Sequence, residues 1–304
     1  MHYCSIVSAG SDSPYRSFGD FLAGRFHGKM QKITIDAGLS CPNRDGTVGR
    51  GGCIYCNNSS FSPDKGGGRS VAEQIEFGKS FFARKYSDMR YLAYFQSYTG
   101  THAPIATLID LYSEALRQPE VDGLIIGTRP DCMPDTLLKE LAEMRKNVFV
   151  MVEYGAESFH DYTLQRINRC HTAAQTIDAV ERTKAAGIET GLHLINGLPG
   201  ENEDMILKSV DVVNSLPVDV VKFHQMQVVK GTVLAWQWQR GEADIISFSV
   251  DDYLALCVKI VKALRKDIAI ERFVSQSPAD MLLYPKWGMK NYEFTDRLNR
   301  ALRK

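Results

Sequence analysis

Three cysteines crowd one short stretch of this chain: Cys41-Pro42-Asn43-Arg44-Asp45-Gly46-Thr47-Val48-Gly49-Arg50-Gly51-Gly52-Cys53-Ile54-Tyr55-Cys56. Two residues separate Cys53 from Cys56, so their sulfurs can grip one metal centre. Cys41 lies twelve positions before Cys53, across a glycine-rich turn that can fold back. Three chemistries compete for this pattern. A structural zinc site wants four ligands, and no fourth cysteine or histidine stands at finger-like spacing. A thioredoxin-type redox pair would start a helix and leave Cys41 idle. A cubane iron–sulfur cluster normally takes four thiolates. Three leave one iron open, and an open iron is a substrate site.

Such a loop needs a frame, and strand-like and helix-like segments alternate to provide one. Strands are predicted over 32–35, 91–95, 123–128, 148–153, 190–195 and 219–224. Between them, Ser70 with Glu73 makes a capping box, Pro104 opens a helix, Asp135 caps another, and Thr172 starts one that Gly187 stops. A further helix covers 204–215. Six strands separated by helices imply an α/β fold with a parallel sheet and right-handed crossovers. The expected architecture is a partial (β/α)6 TIM-like barrel. An N-terminal segment spans 1–30, the barrel 31–245, and a C-terminal α/β extension 246–304, with a helix over 251–265 and a strand over 268–273. In such folds ligands bind at the C-terminal ends of the strands. The polar, glycine-rich stretches 36–56, 96–101, 128–132, 153–158, 196–200 and 224–227 all follow strands, which puts a site at one rim. Gly66-Gly67-Gly68 is a hinge and lacks the lysine of a phosphate loop.

The motifs at those strand ends carry a family resemblance. They are Cys-Pro-Asn-Arg-Asp-Gly (41–46), Phe95-Gln96-Ser97-Tyr98-Thr99, Thr128-Arg129-Pro130-Asp131-Cys132, Arg166-Ile167-Asn168-Arg169 with His171-Thr172, and Gly197-Leu198-Pro199-Gly200-Glu201. Together with the cysteines they resemble the radical SAM superfamily, in a bacterial subgroup near the elongator catalytic subunit and the oxygen-independent coproporphyrinogen oxidases. Eleven residues separate the first two cysteines here, where the superfamily usually has three. That departure is shared with the subgroup. The resemblance implies a [4Fe–4S] cluster on Cys41, Cys53 and Cys56, with S-adenosylmethionine on the open iron. It implies reductive cleavage to methionine and a 5′-deoxyadenosyl radical. It also implies a low-potential electron donor such as flavodoxin or ferredoxin, because cluster potentials span roughly −700 to +450 mV and this step needs the low end.

The same resemblance assigns positions for S-adenosylmethionine. Tyr55 lines the adenine side or packs beneath the loop. Gln96, Ser97, Tyr98 and Thr99 stand where the family meets the methionyl amine, although that motif is usually glycine-rich. Glu157 occupies the place of a ribose-binding glutamine; a carboxylate can accept from two hydroxyls at once, and Glu153 is its rival. Arg169 matches the arginine that meets the methionyl carboxylate, a charge-assisted pairing; its bland reading is a solvated helix face. His193 stands where relatives carry an aspartate and either contacts ribose or sits in the core. His224 lines the pocket near adenine. His171 fixes a helix start. Cys132 is either an inert buried thiol or a catalytic group on the substrate side. Cys4, Cys170 and Cys257 read as structural.

The substrate that the resemblance implies is tRNA, with a carboxymethylaminomethyl group on the wobble uridine trimmed to aminomethyl. The alternatives are a small molecule, such as a tetrapyrrole or an amino-acid derivative, and a non-catalytic metal-binding module. The tail from Lys286, with Trp287, Tyr292 and Phe294 among its basic residues, either docks RNA by phosphate contact and stacking or forms an amphipathic helix. Bulk properties set loose bounds. Hydrophobic residues make up 44% of 304, enough for a sizeable core. Lysine plus arginine equal aspartate plus glutamate at 36 each, so no global charge argues for nucleic acid, though a local patch would suffice. No apolar run of about 18 residues suggests a membrane span, and the first residues lack a secretory pattern. Seven cysteines, an odd count, argue against a disulfide framework and for a reducing cytoplasm.

Overall fold

The computed structural model describes residues 13–60, 68–82 and 88–304. Cys4, Gly66 and Gly67 lie outside them. Seven strands form one parallel sheet in the order β1 (Lys29–Ile35), β2 (Met89–Phe95), β3 (Val121–Thr128), β4 (Phe149–Glu157), β5 (Glu189–Asn196), β6 (Val220–Gln225) and β8 (Ala269–Ile270). Strand neighbours follow chain order, as helical crossovers between parallel strands require. The short β7 (Val228–Val229) pairs antiparallel with β9 (Leu282–Tyr284) outside this sheet.

The helices are α1 (Phe18–Ala23), α2 (Pro42–Asp45), α3 (Val71–Phe82), α4 (Ile105–Leu116), α5 (Asp135–Met144), α6 (Asp161–Arg166) and α7 (Ala173–Ala185). After them come α8 (Glu203–Ser215), α9 (Val233–Gln239), α10 (Val250–Ala263) and α11 (Asn291–Leu302). Side chains alternate across each strand, so one face of the sheet meets the helices and the other lines the barrel. The helix-facing core contains Ile33, Phe95, Leu124, Val152, Leu192 and Phe223. The inner face begins with an apolar layer of Met30, Leu92, Ile125, Met151, Val220 and Ala269, plugged by Phe18, Phe21 and Leu22 of α1. A charged layer lies next along the strands, and the site lies at their ends.

The seam between β1 and β8 is bridged. Ser17 pairs in parallel with Ile270, and Lys32 of β1 forms an ion pair with Glu271. The C-terminal segment therefore supplies a seventh strand to the barrel wall.

Several boundaries differ from expectation. The fourth strand continues to Glu157 through a register shift between Gly155 and Glu157. Pro134, not Asp135, occupies the N-cap of α5. The expected strand 268–273 forms ladder pairs only at Ala269 and Ile270. His171 does not fix its helix start: Thr172 and Gln175 form the capping box, and the buried imidazole instead faces the Gly155 carbonyl, 3.4 Å away.

In the tail, Trp287 and Phe294 pack against Tyr253; Phe294 is buried and so cannot stack on a base, while Trp287 is half-buried. Tyr292 alone of the three aromatics stays exposed, and α11 is an amphipathic helix with Phe294 and Leu298 buried.

Candidate functional site

The cysteine loop is held from two sides. Gly46, Gly51 and Gly52 adopt left-handed φ of 94°, 81° and 77°, which folds the chain back and brings Cys53 and Cys56 toward Cys41. Asn168 then fastens the fold: its Nδ2 donates to the carbonyls of Arg50 (3.1 Å) and Gly52 (2.8 Å). Ile54 N–H donates to the Ile167 carbonyl. Asn43, fully buried, donates to the Asn168 carbonyl. On the other side Leu234 N–H donates to the Ile54 carbonyl, and Asn57 Nδ2 donates to the Lys230 carbonyl. The segment 166–169 is thus mainly a clamp on the loop.

Cys41, Cys53 and Cys56 line one cavity of about 200 Å³. No three histidine, cysteine, aspartate or glutamate side chains among the described residues converge tightly enough for a single metal ion. Three thiolates are one fewer than a structural zinc site takes, and on a cubane cluster they would leave one position open. Donors for cluster sulfur ligands are present: Asn43 Nδ2 lies 3.7 Å and Arg169 Nη1 3.6 Å from Cys53 Sγ. Such hydrogen bonds tune a cluster's potential. Burial, then Cys53, pushes the Cys56 thiol up to about 12, so binding a cluster must expel a proton. The residues present fit a three-thiolate cluster.

Around the cysteines the cavity wall comes from successive strand ends. Gln96, Tyr98 and Thr99 follow β2, Arg129 follows β3, Glu157 ends β4, and His193 and His224 sit on β5 and β6. Glu157 is 7% exposed and takes φ 63° at the bulge, a conformation costing about 1–3 kcal/mol in a non-glycine residue. Its carboxylate lies 3.5 Å from Arg169 Nη2 and 3.3 Å from His193 Nδ1, and the Tyr55 hydroxyl bonds to it. Burial holds Glu157 above the usual carboxylate range despite Arg169. Burial, then His224, holds His193 well below the usual imidazole range. Gly155 is required here: a Cβ would sit 2.6 Å from Arg169 Nη2 and 2.8 Å from Glu157 Oε1. Four non-glycine residues with positive φ (Tyr98, Glu157, Asn168 and Cys170) gather at this rim.

Beneath the rim lies the charged layer. Lys222 Nζ donates to Glu153 Oε1 at 2.7 Å and to the Tyr94 hydroxyl at 2.9 Å, and Tyr94 donates to the same carboxylate oxygen. Glu271 joins Lys32 and Lys222. Burial works to raise the Glu271 carboxyl, but these cations hold it down at about 2.

Several expectations change on this geometry. Glu153 lines the cavity but is tied to Lys222 and Tyr94, so Glu157 holds the rim position for which they competed. Ser97 is buried at 4% and, unlike its neighbours Gln96 and Tyr98, is absent from the cavity wall. Cys132 is also absent from that wall; burial pushes its thiol up to about 12, which leaves a poor nucleophile and acid. Arg169 is buried, not on a solvated face, and shares its guanidinium among Cys53, the Gly155 carbonyl and Glu157. Cys257 is buried as expected, whereas Cys170 is exposed at the edge of the cysteine loop.

The sequence reading missed Arg129, Lys222 and Arg272. Arg129 is 1% exposed and clasped at two points by Asp131, at 2.9 and 2.8 Å, and its Nη1 has no hydrogen-bond partner among the described residues. The Thr-Arg-Pro-Asp motif contained that signal, since an arginine two residues before an aspartate at a strand end can be fixed in one rotamer.

Known proteins resemble this chain in sequence and in fold. The Radical SAM superfamily model matches residues 45–213, and the Radical_SAM C-terminal domain model matches 218–304. Protein YhcC of Escherichia coli is 36% identical over 286 residues, covering 94% of this chain and 91% of that protein. A tRNA uridine(34) acetyltransferase of Methanocaldococcus infernus is 34% identical over 123 residues, covering 40% of this chain and 22% of that protein. The solved structure of Methanocaldococcus infernus Elp3 superposes with a TM-score of 0.68 at 16% identity, over 90% of this chain and 62% of that one. No helix among the described residues is long and apolar enough to cross a membrane. With a family model matching more than half its length and a cysteine-lined cavity at the rim of a parallel half-barrel, this chain belongs to the radical SAM superfamily of enzymes, whose cofactors are a [4Fe–4S] cluster and S-adenosylmethionine.

Proposed function

We propose that this enzyme modifies the side chain of the wobble uridine in tRNA, trimming carboxymethylaminomethyl to aminomethyl. The observation that carries the enzymatic half is the cavity itself: three cysteines line one cavity with the polar ends of the strands. The tRNA half is supported by the 34% identity to a tRNA uridine(34) acetyltransferase over the matched 123 residues.

In this reading Cys41, Cys53 and Cys56 hold the cluster. When bound, cluster and S-adenosylmethionine together supply a radical that takes hydrogen from substrate. The protein's own groups do the rest. Arg169 and Asn43 donate toward Cys53, and Arg129 Nη1 and Arg169 Nε are buried donors without partners, suited to a methionyl carboxylate. Glu157 Oε2 is a buried acceptor without a hydrogen-bond donor, suited to ribose hydroxyls, with His193 beside it. Tyr55 and His224 flank the adenine, and Gln96, Tyr98 and Thr99 meet the methionyl amine. A flavodoxin or ferredoxin supplies the electron.

The test is anaerobic reconstitution followed by nucleoside analysis. Reduced holoenzyme should release 5′-deoxyadenosine and convert carboxymethylaminomethyluridine in tRNA from a strain lacking this gene. Unchanged wobble nucleosides despite 5′-deoxyadenosine release would remove the tRNA reading and leave the radical enzyme.

A further inference from the structure

The wall of the cavity away from the cysteines holds a cation that the cofactor site does not use. Arg272 follows β8 and lines the cavity with Ser275, Gln276 and Ser277 of its own segment and Gln227 beyond β6. Its backbone is fixed, because the Arg272 carbonyl accepts from Phe223 N–H. Its side chain is not engaged in the same way. The Nε atom is buried and has no hydrogen-bond partner among the described residues. The neighbouring carboxylates form their ion pairs with other groups: Glu271 with Lys32 and Lys222, which act on it more strongly than Arg272 does, and Glu153 with Lys222, which with Tyr94 also donates to it. The two histidines nearby are held below their usual range by burial, with Arg272 adding to the shift of each.

A buried donor left without a hydrogen-bond partner is costly, and half-buried Arg272 keeps one, Nε, at the wall of the cavity. The planar fork of arginine matches a carboxylate by two parallel hydrogen bonds. The surrounding glutamines and serines are neutral, so they can orient an acidic group without competing for it. We infer that Arg272 is the specificity-determining receptor for a carboxylate on the substrate. Resting on the tRNA reading, this is the carboxylate of the carboxymethylaminomethyl group. Arg272 then distinguishes the acidic substrate from its aminomethyl product, which lacks the anion, and favours product release.

The experiment measures equilibrium binding and single-turnover trimming with reconstituted wild type, Arg272→Gln and Arg272→Lys. The probes are tRNA carrying carboxymethylaminomethyluridine, the neutral carboxamide analogue, and the aminomethyl product. Losing a charge-assisted pair should weaken binding of the acid by about 10- to 100-fold in Arg272→Gln. Arg272→Lys should fall between, since it keeps the charge and loses the fork. The carboxamide should bind wild type and Arg272→Gln equally, a pattern that a merely structural role for Arg272 would not produce. Cluster absorbance checks that each variant folds and loads. If wild type trims the acid and Arg272→Gln trims it with the same affinity, the inference falls and the tRNA reading stands. If wild type neither binds nor trims the acid while still cleaving S-adenosylmethionine, the tRNA reading falls and takes the carboxylate assignment with it.

Discussion

Two layers of the barrel interior contain buried charge and treat it in opposite ways. In the lower layer Lys32, Lys222, Glu153, Glu271 and Tyr94 satisfy one another; even Glu153 Oε2, which accepts no hydrogen bond, lies 3.9 Å from Lys32. Further along the strands, Arg169 Nε, His193 Nε2, Thr99 Oγ1 and Arg129 Nη1 are buried without hydrogen-bond partners among the described residues, and Glu157 Oε2 accepts no hydrogen bond although His193 Nδ1 lies 3.3 Å away. Each such group costs about 1–3 kcal/mol. The layers share strands and burial, so environment alone does not explain the contrast. Matched charge serves the frame, and unmatched polarity marks where a ligand belongs.

Breaking the cysteine trio has the largest expected effect. Cys53→Ala should abolish cluster incorporation and 5′-deoxyadenosine formation, read by iron content and chromatography under anaerobic conditions. Retained iron with turnover would mean that the loop does not hold the cluster. Next comes the lower layer. Lys222→Met leaves buried Glu153 with only Lys32, 3.9 Å away, a loss of about 3 kcal/mol in urea unfolding. A change under about 1 kcal/mol would erase the distinction between the layers.

The upper layer should respond differently. Glu157→Gln removes a strained, poorly matched carboxylate, so unfolding of the cluster-free protein should shift by no more than about 1 kcal/mol. Affinity for S-adenosylmethionine should fall by about tenfold, the size of one charge-assisted hydrogen bond. If stability drops as far as for Lys222→Met, Glu157 belongs to the frame.

The last test concerns pH. Burial, then Arg272, holds folded His224 at about 3, against about 6.5 for an unfolded chain. Between those values the unfolded chain binds a proton that the folded one refuses, so stability falls as pH drops from about 6.5 toward 3. His224→Gln should flatten that slope by up to about 1.4 kcal/mol per pH unit. An unaltered slope would place the imidazole in contact with water.

Much of the site is legible in the chain because it is local. Cys41, Cys53 and Cys56 belong to one loop, and the glycines that fold it lie between them. Rim positions such as Gln96, Glu157, His193 and His224 follow from strand ends, since period-2 alternation and parallel crossovers send those ends to one side. Ser97 escaped the same logic because the chain turns at Tyr98, where φ is 54°, and the alternation ends there. Glu153 was misread because its partners are 59 and 69 residues away, and nothing near it in sequence announces Tyr94 or Lys222.

By itself the sequence determined the type of chemistry: three thiolates in a loop after a strand, on a frame whose helical and strand periods leave little choice of fold class. Tertiary structure decided how the charged residues divide. Whether a carboxylate or a guanidinium is neutralised or left for a ligand depends on contacts across the half-barrel, such as Lys32 with Glu271 over 239 positions. Coulomb energy depends on distance in space and local dielectric, and neither is written in the order of residues.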